Sequence, residues 1–330
     1  MSVGANKRIS LTSISIVICT WNRAGLLRET LESLQLQQGC DPGEVEVLVV
    51  DNNSSDDTKA TVEAFAPGWK LGQLVYLFEP RQGKQFALNQ GIARAEGHCI
   101  AFTDDDILFE PDWVQNIRTL FAQNDVSLAG GRTFIEWPKG GPPVWYSESM
   151  SAVMACVDLG DKLLLPAPEN YAPAGNNMVV RRDLFERVGL FSEAHFRHMD
   201  HEFGVRSQRA RERVGYVPSL AVRAPVDEAI LTKQYFRRWA FKAGIARDET
   251  NAGDPGPQKP PLWVYRQAVE DGLLGIVLAP FRSPRAAFER EFRFWRHWGA
   301  ISVYWHQLLF ASSHAAWIEK HSQKKKNRTF

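Results

Sequence analysis

Cys99-Ile100-Ala101-Phe102-Thr103-Asp104-Asp105-Asp106 is a short apolar run that ends in three consecutive carboxylates. A run of this length with no helical spacing reads as a buried strand. Like charges gathered at its end repel one another, so they are costly to assemble unless a cation or a hydrogen-bond donor compensates them. Oxygen ligands of this kind suit hard divalent ions, and Mg²⁺ sites commonly combine one or two carboxylates with substrate phosphates. A solvated turn or a helix N-terminus is the plainer reading of the same residues. The segments around them decide between the two.

Ile14-Ser15-Ile16-Val17-Ile18-Cys19-Thr20 is a β-branched run that reads as a second buried strand, followed by Trp21-Asn22-Arg23 and a helix with Leu26, Leu27, Leu31 and Leu34 on one stripe. Val45-Glu46-Val47-Leu48-Val49-Val50 is another strand, ending at Asp51, and the polar residues 52–57 offer N-caps to a helix from about Thr58. A strand at Leu74-Val75-Tyr76-Leu77-Phe78, a helix over residues 83–95 and a helix over 112–124 complete the alternation. Repeated strand-helix units predict an α/β fold with a mostly parallel sheet flanked by helices. In such sheets ligands bind beyond the carboxyl ends of the strands, where Thr20, Asp51 and Asp104 to Asp106 all fall.

The chain of 330 residues, 44% hydrophobic and 23% charged, has the composition of a folded globular protein. Cys19, Cys40, Cys99 and Cys156 form no Cys-x-x-Cys pair, so buried thiols in a reducing cytoplasm are expected rather than disulfides or zinc. Residues 1–12 carry no long apolar segment and are expected to be an extension rather than a signal peptide. No apolar stretch approaches the ~18 residues of a spanning helix. The net charge of +1 hides an asymmetry: residues 233–330 hold 17 Lys and Arg against 8 Asp and Glu, leaving 22 against 30 in residues 1–232. The basic part is expected to meet something anionic.

No Gly-x-Gly-x-x-Gly follows the first strand, and neither a Gly-x4-Gly-Lys-Ser/Thr loop nor a Gly-x-Ser-x-Gly elbow is present. Phosphates would therefore be handled by a metal rather than a glycine-rich cradle. Residues 126–182 read as strand-like and loop-rich, and the Pro/Gly-rich residues 251–261 as a linker. Beyond it, Phe288, Phe292, Trp295 and Trp298 recur at helical spacing among Arg285, Arg290, Arg293 and Arg296. That pattern suits either a helix in a bilayer interface or one packed on the rest of the protein with a basic outer face. No nucleic-acid-binding module accompanies the charge, so no nucleic-acid partner is expected.

Taken in order, several of these pieces resemble the family 2 glycosyltransferases, nucleotide-sugar enzymes of the GT-A type. They are Cys19-Thr20-Trp21-Asn22-Arg23, Val49-Val50-Asp51-Asn52-Asn53-Ser54-Ser55-Asp56, Gly83-Lys84-Gln85-Phe86-Ala87-Leu88-Asn89-Gln90-Gly91, Phe102-Thr103-Asp104-Asp105-Asp106, Gly175-Asn176-Asn177-Met178 and Val188-Gly189-Leu190-Phe191. The resemblance implies a GT-A domain over residues 13–250, with a helical appendage over 262–330. It implies an inverting, metal-dependent transfer from a nucleoside-diphosphate sugar, a UDP-sugar foremost, to a glycan or lipid-linked acceptor. The setting would be polysaccharide or glycolipid assembly in the cytoplasm or on the inner face of the cell membrane.

By the same resemblance, Thr20, Asn22, Arg23, Asp51, Lys84, Asn89, Asp104 and Asp105 would bind the nucleotide-sugar. Asp106 of the DXD-type motif would ligate Mn²⁺ or Mg²⁺. Asp200 would be the base, although Met199 stands where the family carries a glutamate. Val222-Arg223-Ala224-Pro225 lacks the histidine that often completes the metal site, which leaves His198 or His201 as substitutes. Two rivals stay open: a nucleotidyltransferase that makes nucleotide-sugars, and a degenerate carbohydrate-binding protein.

Overall fold

The computed structural model describes residues 13–39, 41–169, 171–193, 198–250, 259–278 and 281–322. The N-terminal extension, Cys40, most of the expected linker and the basic tail around Lys324 lie outside the described residues. Contacts divide the chain into two compact units, residues 1–136 with 155–225 and residues 137–154 with 226–330.

The first unit begins with a regular βα alternation. Strands β1 (Ile14–Thr20), β2 (Val45–Asp51), β3 (Gln73–Phe78) and β4 (Cys99–Asp104) alternate with helices α1 (Ala24–Leu34), α2 (Thr58–Phe65) and α3 (Lys84–Arg94). There follow β5 (Leu108–Phe109), α4 (Trp113–Gln123), β6 (Leu128–Glu136), β7 (Asn177–Arg181), α5 (Leu184–Val188), α6 (Met199–Arg209) and β8 (Val214–Pro225). Among the described residues the strands make one sheet in the order β3-β2-β1-β4-β7-β6-β8-β5. β3, β2, β1 and β4 are parallel neighbours, and β6 and β8 continue in the same direction beyond an antiparallel β7. The expected mostly parallel sheet is thus present.

β1 is buried along its whole length, as a run rich in β-branched residues suits at the centre of a doubly covered sheet. The α1 stripe is Leu27, Thr30, Leu31 and Leu34, whereas Leu26 is exposed. At ~100° per residue Leu26 stands a quarter turn away from that stripe, which corrects the expectation that it points inward.

Register fixes what the sheet offers at its carboxyl edge. Thr20 pairs with Asp51, and Cys19 with Asp104. Because β7 runs the other way, its first residue, Asn177, lies opposite Thr103 at this same edge. Phe102 meets Phe185 and Phe191 edge-on beneath it, and Phe203 stacks on Phe185 to seat α6. Met199, where the resemblance leads one to expect a glutamate, is buried in this cluster and serves as core.

In the second unit, α7 (Lys233–Thr250), α8 (Leu262–Leu278), α9 (Pro284–Leu309) and α10 (His314–Ser322) form a helical lobe. α7 crosses α9 at Gly244 and Gly299. A Cβ on Gly244 would stand 2.0 Å from the Arg296 carbonyl oxygen, and one on Gly299 2.1 Å from that of Phe241. Trp145 packs between Phe236 and Phe288. α8 lies on α9 through Val264, Ala268 and Ile301, with Asp271 bonding Arg293 at 3.0 and 3.1 Å. Among the described residues no helix is long and apolar enough to cross a membrane.

Candidate active site

The β1–α1 turn sets the first wall. Asn22 adopts a left-handed φ of 52°, which asparagine tolerates better than most residues. Its backbone N–H donates to Ser54 Oγ at 2.9 Å, and its side-chain oxygen accepts from Ser55 N at 2.7 Å. Ala24 N donates to Asp56 Oδ2 at 2.9 Å, so the turns after β1 and β2 are tied together. This fixes Arg23 with its guanidinium over the aspartates, where Nη1 donates to Asp105 Oδ1 and to Asp106 Oδ2, each at 2.9 Å.

The three aspartates divide the work by exposure. The Asp105 side chain is only 6% exposed, while those of Asp104 and Asp106 are 28% and 35% exposed. Lys84, on the first turn of α3, bonds Asp104. Burial opposes charge on Lys84, but Asp104 beside it outweighs this and raises the ammonium's pKa, with Asp200 adding to the effect. Arg23 behaves likewise, its burial outweighed by Asp105 and Asp106. Burial pushes the Asp105 carboxyl up, with Arg23 opposing. Asp106 is pushed up to about 6 by burial and by its two neighbouring carboxylates. Three acids and two bases thus compensate one another at the end of β4.

Asp51, buried at the end of β2, accepts from Ser54 N at 2.8 Å through Oδ1 and from the Tyr76 hydroxyl at 2.7 Å through Oδ2. Thr20 is buried beside it on β1. Asp200, in the first turn of α6, accepts from Gly175 N at 2.8 Å through Oδ2 and from His201 N at 2.9 Å through Oδ1. The loop entering β7 thereby positions Asp200, and the sheet brings it within electrostatic reach of Lys84. Glu202, the next acid along, is held by Arg206 at 2.7 and 3.0 Å.

Asn89 is used differently from the expectation. Its amide donates to the Phe191 carbonyl at 2.9 Å and accepts from Phe191 N at 3.1 Å, so it fastens the loop after α5 from a buried position. Sequence reading missed Asn52, whose side chain holds the Arg81 carbonyl at 2.7 Å and Gly83 N at 2.8 Å and so fixes the approach to Lys84. It also missed Tyr76. Phe78 pairs with Asp51, and Tyr76 lies two residues before it on the same face, so the strand register was the available signal.

Among the described residues no cluster of three His, Cys, Asp or Glu could hold a metal by itself, and His201 is exposed on α6. The two outward carboxylates, Asp104 and Asp106, are hard oxygen donors. Donors of this type would suit a divalent cation that takes its other ligands from elsewhere.

The profile described as glycosyl transferase family 2 matches residues 15–189. Glycosyltransferase AglE of Haloferax volcanii is 27% identical over 55% of this chain and 57% of its own length. The uncharacterized glycosyltransferase YwdF of Bacillus subtilis is 28% identical over 70% of this chain and 84% of its own. For the first of these the match spans little more than half of the relative. Mannosyltransferase PcManGT from Pyrobaculum calidifontis, solved with GDP-Man and Mn²⁺, superposes with a TM-score of 0.55 at 18% identity, covering 93% of this chain and 78% of that one. TarS residues 1–349 of S. aureus, solved with UDP-GlcNAc, gives 0.51 at 16% identity over 88% and 91%. At such identities these two likenesses speak for the GT-A fold.

Proposed function

The chain belongs to glycosyl transferase family 2, and from that membership we propose that it transfers a sugar from a nucleoside-diphosphate donor to a hydroxyl acceptor, inverting the anomeric carbon. The observation that carries the reading is the meeting of Asp104, Asp105, Asp106, Arg23, Lys84 and Asp200 around one carboxyl edge of the sheet. Asp51, aligned by Ser54 and Tyr76, accepts from the base or ribose, with Thr20 and Asn22 lining the same pocket. Asp104 serves the ribose or metal-bound water, while buried Asp105, expected from the resemblance to share that role, holds Arg23 in place. Asp106 would hold the cation, with Lys84 and Arg23 facing the diphosphate. A Mn²⁺ or Mg²⁺ ion held there would supply charge neutralisation for the diphosphate. Asp200 takes the proton from the acceptor hydroxyl as that oxygen attacks the anomeric carbon. The bond to the diphosphate breaks on the opposite face, and its electron pair leaves with the phosphate.

The acceptor in this reading is a glycan or lipid-linked sugar of a surface polysaccharide or glycolipid. Residues 262–330 bring the chain to an anionic membrane surface. Incubation with a panel of nucleoside-diphosphate sugars, with Mn²⁺ or with EDTA, tests the reaction. Cation-dependent release of nucleoside diphosphate and sugar from one donor supports it. Release of pyrophosphate from a nucleoside triphosphate would instead indicate nucleotidyl transfer, and no turnover of any donor a degenerate binding protein.

A further inference from the structure

Helix α8 is apolar on two opposite faces, and the structure accounts for only one of them. Val264, Ala268 and Asp271 are buried on the side that meets α9. Leu262, Val269, Leu273 and Val277, spaced by seven, four and four residues, form a second stripe that is 79%, 57%, 63% and 64% exposed. At ~100° per residue this stripe lies across the helix from the first. Phe281, 85% exposed, follows at the corner before α9. A helix that is apolar on both sides needs a second apolar environment.

We propose that this outer face of α8, with the Phe281 corner, lies flat in the interface of an anionic lipid bilayer. The proposal rests on the membrane reading of residues 262–330 and is independent of the donor chemistry. Charge selects the occupant. Arg266 on this helix is ion-paired with Glu270, while Lys259 just before α8 and Arg282 and Arg285 just after it are exposed, so the cations gather at the two ends of the stripe. Anionic head groups complement that pattern, whereas a two-fold pairing of copies would set these cations against themselves. The 17 residues of α8 span about 25 Å. They lie along the surface, since among the described residues no helix is fit to cross.

Co-sedimentation of the full chain with vesicles of equimolar phosphatidylcholine and phosphatidylglycerol tests this, with phosphatidylcholine alone as control. The wild type should bind the anionic vesicles, less as salt rises but not to zero. Leu273→Ser with Val277→Ser, both at exposed positions, should weaken binding at least about tenfold while leaving donor turnover in solution unchanged. Arg282→Ala with Arg285→Ala should cost about fivefold per charge at low salt and little at high salt. If the wild type binds and the serine pair binds equally well, the face assignment is overturned while the membrane reading stands. If the wild type ignores both vesicles, both fail. A dimer in sedimentation equilibrium that the serine pair disperses would then assign the face to a second copy.

Discussion

Asp106 is where residue chemistry and function pull against each other. With its pKa pushed up to about 6, the carboxylate that a cation needs is present only above that value. Thermal stabilisation by Mn²⁺ with nucleoside diphosphate should therefore grow as pH rises through about 6 and level off above it. Without ligand the sign reverses. The folded chain holds this proton more tightly than the unfolded chain, whose carboxyl titrates near ~4, so the stability this group contributes is full below that and is lost as pH rises through about 6. Asp106→Asn should consequently raise the melting temperature of the ligand-free protein at neutral pH while removing cation-assisted diphosphate binding. A lower melting temperature, or calorimetric titration showing retained affinity, contradicts the assignment. Asp200 calls for a different readout. Asp200→Asn keeps an oxygen for the Gly175 N–H but cannot take a proton, so kcat should fall by ~10²–10⁴-fold with donor affinity unchanged. Full activity in this variant would move the base elsewhere, and not to Glu202, which Arg206 already engages.

Among the elements, the α7–α9 crossing is the most sharply determined contact of the helical lobe. Gly299→Ala would thrust a methyl group to 2.1 Å from a backbone carbonyl oxygen, which no side-chain rotation relieves. A loss of about 1–3 kcal/mol is expected from such overpacking, measured by chemical denaturation, while an exposed neighbour such as Trp298→Phe should stay near wild type. This contact was not legible in the sequence, because a glycine in a helix does not announce which backbone approaches it. β1 to β4 were legible, since each is a mostly apolar run followed by a polar residue, and the edge they share located the aspartates. β6 to β8 were not. β6 carries Gly130 and Gly131 with a register shift, β7 is five residues long, and β8 contains Pro218, so periodicity is broken in all three. The candidate residues divide the same way. Arg23, Lys84 and the aspartates gather as their types suggest, whereas the duties of Asn22 and Asn89 depend on loop partners that only the tertiary structure supplies.

At the scale of the whole molecule, the placement of β7 reaches beyond the site. It is the strand that joins β3-β2-β1-β4 to β6-β8-β5, yet it is made some 40 residues after β6 ends at Glu136. Until it docks, β4 and β6 each present an unpaired edge, the kind of surface that recruits other chains. The sheet therefore cannot be completed by zipping neighbours in order, and long-range pairing of this sort is slow. Val180, fully buried on β7, tests the consequence. Val180→Ala should cost about 2 kcal/mol at equilibrium, and in stopped-flow refolding a slower folding limb should carry a substantial share of that loss. Yield should also fall with rising protein concentration as half-built sheets meet one another. If only the unfolding rate changes, β7 docks after the rate-limiting step, and the exposed edges are too short-lived to matter to a cell making this chain.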